Sequence, residues 1–199
     1  MMLLALMMIC ASAAAWILAG AAIPDARSYV RLAAITFAVL GIASALSGPF
    51  ANMAALIVMA TGPACLALAI LGTRTIPRSV AAIILAAAAW SGIAAAAMNL
   101  MALALAPLIV SVAVMAGCAI RGWKTSPSRA AQALAAALAF LAGASAYVKG
   151  DLIGQMALLL FTSAGLLGIA LSLARDSDAA IDQQRARDFP GRAIGRVRS

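Results

Sequence analysis

Between Arg31 and Arg74 no residue carries a charge, and the same is true between Arg78 and Arg121. Each interval spans 43 positions from arginine to arginine (31 to 74, 78 to 121). One helix of that length would reach about 63 Å, roughly twice the ~30 Å thickness of a hydrocarbon core. Each interval therefore reads as two membrane spans joined by a tight turn. A third interval, Arg129 to Arg175, shows its turn openly as YVKGD, with Lys149, Gly150 and Asp151. In the first, SGPFAN supplies Gly48 and Pro49 as breakers. In the middle one, only Met98 and Asn99 are available.

Composition supports the membrane reading. Of 199 residues, 66% are hydrophobic and 10% charged, where a soluble domain holds about 45–50% and about 25%. The apolar runs are continuous and do not alternate, so they read as helices, which satisfy their own backbone in lipid. The fold class is all-α: a polytopic membrane protein of seven transmembrane helices, built as one helix plus three helical hairpins. The expected spans are 2–23, 31–48, 50–72, 79–98, 100–120, 129–147 and 152–174. The first lacks the basic start of a cleavable signal and reads as a retained span. PDARSYVR, with Asp25, Arg27 and Arg31, reads as a polar turn.

All 14 lysines and arginines except Lys149 fall after the first, third and fifth spans, or in the tail. By the positive-inside rule the N-terminus lies outside and the C-terminus in the cytoplasm. Residues 1–175 form the transmembrane domain, and 176–199 a basic cytoplasmic tail, partly helical and then disordered. Pro190 and Gly191 would stop that helix. An offset of 47 residues brings Arg27 onto Arg74, Ser44 onto Ser91 and Asn52 onto Asn99. NMAAL, NLMAL and the related GQMAL at Gly154–Leu158 then each open a returning helix. An Asn there would accept hydrogen bonds from free N–H groups of the first turn.

The chemistry this chain can carry is narrow. It has no histidine and no glutamate, which excludes histidine-held haem, histidine bases and glutamate proton relays. Cys10, Cys65 and Cys118 are far apart and read as small hydrophobes, not metal ligands or disulfides. No cofactor is expected. Intramembrane charge marks function in membrane proteins, and here every charged residue falls at a predicted boundary, in a loop or in the tail. The hydroxyls within the spans read as bonded to their own helices. Pro63, after Thr61 and Gly62, and Pro107 should each disturb a helix. With Trp90, Ser91 and Asn99 they are the candidate residues for a cavity or kink. Arg121, Lys124, Arg129, Arg192, Arg196 and Arg198 are candidates for contact with anionic lipid or a partner.

The seven-span layout invites comparison with rhodopsins, but those need a lysine deep in the last span, and Lys149 precedes it. The leading functional expectation is a non-catalytic accessory or scaffold subunit of a larger assembly. It would sit in a bacterial inner membrane, with the bilayer and a helical membrane protein as partners and no nucleic acid. The alternatives are a small transporter or lipid-binding carrier with a cavity near the third and fifth helices, and a membrane hydrolase using Asp25 or Asp151.

Overall fold

The computed structural model describes residues 2–22, 24–46, 49–71, 76–124, 127–148 and 150–188, with positions 24, 25, 49, 128, 129 and 175–188 described by backbone alone. They form α1 (Met2–Ala21), α2 (Pro24–Leu46), α3 (Pro49–Leu71), α4 (Arg78–Met98), α5 (Met101–Gly122), α6 (Pro127–Tyr147) and α7 (Leu152–Asp188). All seven are long and apolar enough to cross a membrane.

Proline sets several of the helix starts. α2, α3 and α6 begin on Pro24, Pro49 and Pro127, and Pro77 immediately precedes α4. Its fixed φ is already helical, and its missing N–H is one that a first turn leaves unpaired anyway. This corrects one boundary. PDARSYVR is not a turn before a helix starting at 31; it is the first two turns of α2. Arg27 and Arg31 therefore ride on the helix. The Arg31 guanidinium lies over the Trp16 ring of α1, 5.0 Å from its centroid. Arg27 donates from Nη2 to the Ala22 carbonyl at 3.4 Å. At the other end of the chain α7 continues to Asp188 as one helix of 37 residues, about 55 Å at 1.5 Å per residue, longer than a span requires.

The charge-free run after Arg78 breaks at Asn99 and Leu100. Asn99 adopts φ 55°, the left-handed conformation that Asn tolerates better than most residues. The Leu100 N–H then bonds back to the Ala95 carbonyl at 3.1 Å. Asn99 thus ends α4; it does not cap α5, whose own N-cap position is Leu100 with no side-chain bond.

Six helices close a ring. α1 packs on α2 and α7, α2 on α3, α3 on α5, α5 on α6, and α6 on α7, while α4 lies outside against α3 and, more lightly, α5. The ring is filled at its centre by two aromatic side chains from helices that are not adjacent in it. Phe37 of α2 and Phe140 of α6 are fully buried and stack at 5.7 Å between centroids, 24° from parallel. Glycines make room for them. A Cβ on Gly62 of α3 would fall 2.5 Å from the Phe37 ring, and one on Gly165 of α7 would fall 2.8 Å from the Phe140 ring. Gly92 does the same for backbone: a Cβ there would sit 2.7 Å from Ile57 Cα, so α4 presses directly onto α3. Small residues at crossings are how membrane helices gain packing without a hydrophobic drive between them.

Candidate functional site

At the end of the ring where α2 and α6 finish and α3 and α7 begin, the packing opens. A cavity of about 360 Å³ lies there, partly open to the outside. Its polar wall is Ser44 of α2, Asn52 of α3, Tyr147 of α6 and Gln155 of α7. Its floor is Leu40, Leu158 and Leu159, all buried. Leu40 is three residues after Phe37, less than one helical turn, so the cavity ends just above the stacked phenylalanines.

The start of α7 determines the geometry. Gly150 takes φ 71°, a conformation open to glycine without steric cost. Asp151 follows as the N-cap: its Oδ1 accepts from the Gly154 N–H at 2.6 Å, and its carbonyl accepts from the Gln155 N–H at 3.2 Å. Gly154 lets this first turn lie against the Ala146 carbonyl at the end of α6, where any Cβ would collide. From that start, Leu152, Gln155 and Leu159 repeat at i, i+3 and i+7 and face the cavity together. Opposite them, Tyr147 donates from its hydroxyl to Asn52 Oδ1 at 3.2 Å. That bond joins α6 to α3 across the opening and orients the Asn52 amide.

Among the described residues, no charged side chain lines the cavity. Its chemistry is therefore hydrogen bonding above and apolar contact below. Two amides and two hydroxyls offer donors and acceptors, and the leucine floor offers apolar contact. Such a volume lies at the small end of ligand pockets, which use a few placed polar groups in an apolar lining.

The residues singled out in the sequence lie elsewhere and are not brought together. Thr61 and Pro63 are buried within α3, and Thr61 donates to the Ile57 carbonyl at 2.8 Å. Ser91 donates to the Ala88 carbonyl at 2.8 Å. Trp90 points outward and is 72% exposed. Pro107 lies in α5, where its carbonyl accepts from Ser111 at 2.7 Å. Asn99 forms the turn between α4 and α5. Arg121 and Lys124 are exposed at the far end of α5. The Arg129 side chain, Lys149, and Arg192, Arg196 and Arg198 lie outside the described residues. The sequence did carry one signal for the cavity: the amides Asn52 and Gln155 stand in the first turns of α3 and α7. Its third match, Asn99, is in a turn and has a different role.

The remaining span hydroxyls mostly bond to their own helices, as Ser12 does to Met8, Thr36 to Ala33 and Thr162 to Leu158. Among the described residues, no three His, Cys, Asp or Glu are grouped to hold a metal ion. By its fold the chain is a multi-pass helical membrane protein. Comparison with protein-family models, with curated proteins and with solved structures finds no match to it.

Proposed function

We propose that this protein binds a small uncharged or zwitterionic amphiphile in the cavity bounded by Ser44, Asn52, Tyr147 and Gln155, as a carrier or ligand-binding membrane protein. The observation that carries this reading is the convergence of four hydrogen-bonding side chains from four helices on one cavity in an otherwise apolar bundle. The described lining residues carry no charge, which favours a ligand without net charge, its polar head on the amides and its apolar part on Leu40, Leu158 and Leu159.

The distribution of basic residues supports an orientation. Arg27, Arg31, Arg78, Arg121 and Lys124 belong to the end opposite the cavity, so a positive-inside arrangement places the cavity at the outer face and the C-terminus in the cytoplasm of a bacterial inner membrane. A C-terminal green fluorescent fusion that glows, beside an inactive C-terminal alkaline phosphatase fusion, is the expected pair of results.

The binding test is native mass spectrometry on protein released in mild detergent. A small-molecule adduct should appear on the wild type and disappear from Asn52→Leu and Gln155→Leu. Both variants retaining the same adduct, or a wild type without one, would remove the reading. A scaffold role is the second reading, favoured by α4, whose outward face carries Ile83, Trp90 and Ile93. Co-purification of another helical membrane protein that Trp90→Ala releases would support it.

A further inference from the structure

A second opening lies on the side of the bundle, independent of the cavity above. It is an apolar trough between Leu71, the last residue of α3, and the outward face of α5, with a volume of about 440 Å³. Along α5 its lining includes Val110, Val114, Gly117 and Cys118, and it ends on Arg121. Val110 to Arg121 is about 16 Å of helix, so the trough runs over half a bilayer leaflet's depth or more before it meets a cation.

Gly117 is the informative residue. Glycine in a helix interior costs about 1 kcal/mol relative to alanine and needs a reason. Gly62, Gly92 and Gly165 have one, because a Cβ at each would strike a neighbouring ring or backbone. At Gly117 an added Cβ would meet nothing within 4 Å. Among the described residues no packing partner explains the missing side chain; what its absence does is keep the trough open.

We propose that this trough is a binding site for an anionic phospholipid, with one acyl chain lying along Gly117 and the phosphate on Arg121. The trough opens sideways from a membrane-spanning helix, so the molecule that meets it is a lipid. Among the described residues its lining is apolar until the Arg121 guanidinium at its end, and that order of groups matches an acyl chain followed by a phosphate. Arg121 adds a preference for net negative lipid, since a basic residue near the surface attracts such headgroups. Trp123, half exposed two residues beyond, suits the interfacial level where that headgroup would sit.

The test is native mass spectrometry of the full chain in mild detergent, titrated with an equimolar mixture of phosphatidylglycerol and phosphatidylcholine. The wild type should carry one retained phosphatidylglycerol with about fivefold preference over phosphatidylcholine, the ratio that one basic residue supplies. Arg121→Gln should reduce that preference to near parity. Gly117→Leu, whose Cβ has open space and whose longer side chain would occupy the trough, should remove the retained lipid of either headgroup while leaving the melting temperature unchanged or higher. Arg31→Gln, at the separate α1–α2 surface, should leave the adduct intact. The proposal fails if Gly117→Leu keeps the adduct, if Arg121→Gln keeps the preference, or if Arg31→Gln abolishes the adduct instead.

Discussion

α3 and α4 look alike as sequences and occupy opposite situations in the fold. Their spans are 22 and 21 residues long with mean hydropathies of 2.3 and 2.1. Yet 78% of the α3 window is buried inside the protein and only 22% of the α4 window. In water such a difference would follow from amphipathic patterning. In lipid it does not, because a leucine or isoleucine is as comfortable against an acyl chain as against another helix. What separates the two helices is where small residues permit close approach. α3 carries Gly62 against the central Phe37 ring and meets α2, α4 and α5. α4 touches α3 closely through Gly92 and turns Trp90 outward.

That contrast can be broken by substitution, and the effects should fall in order from the centre outward. Phe37→Ala removes one of the two rings that fill the ring of helices, and should cost about 3–5 kcal/mol, read as a large fall in melting temperature in mild detergent. A loss under about 1 kcal/mol would mean the bundle's centre is not held by this pair. Gly92→Val puts a Cβ against the Ile57 backbone and should cost about 1–3 kcal/mol by overpacking. It should also loosen α4 selectively, seen as faster hydrogen exchange in 78–98 than in 49–71. Equal exchange changes in both helices would show that α4 is not the separable element.

At the cavity, Asp151→Ala removes the N-cap of α7 and should cost about 1 kcal/mol, while Asp151→Asn should cost only a few tenths, since Asn caps nearly as well. Equal losses for the two would show that charge, and not capping, is what Asp151 supplies. The smallest effect should come from Trp90→Ala, within about 0.5 kcal/mol as for exposed sites generally. A larger cost in a purified monomer would contradict the outward placement of this side chain, whereas a cost seen only with a co-purified partner would support the scaffold reading.

Much of the fold was legible because length and charge are one-dimensional properties. Intervals of 43 positions cannot hold one span, so two helices and a turn had to occupy each. Asn99 stood out as the polar residue nearest the middle of its run, and there the chain does turn. The missed boundary was local chemistry read too simply: a proline and three charges looked like a turn at 24–31, whereas proline favours the first position of a helix. The misread role was that of Asn99, because the offset linking it to Asn52 preserves residue type and not backbone state. Asn52 is helical and accepts from Tyr147; Asn99 is left-handed and ends a helix.

The cavity was only half legible. Asn52 and Gln155 were visible as amides opening helices, but nothing in the chain shows that α2, α3, α6 and α7 bring their ends together. Ser44 and Tyr147 lie eight and 95 positions from Asn52. Their meeting depends on the order of helices around the ring, which hydropathy does not encode.

By itself, then, the sequence determined that this chain is built of helices long and apolar enough to cross a membrane, how many there are, and that the basic residues gather near particular helix ends. Those follow from the thickness of hydrocarbon and from the cost of placing charge within it. Only the tertiary structure decided that α3 is central and α4 peripheral, that Phe37 and Phe140 meet, and that two amides and two hydroxyls enclose one cavity. The physical reason is that lipid solvates every apolar face equally well. Which faces turn inward is decided by fit, by glycines that admit a ring or a backbone, and fit appears only when the helices are side by side.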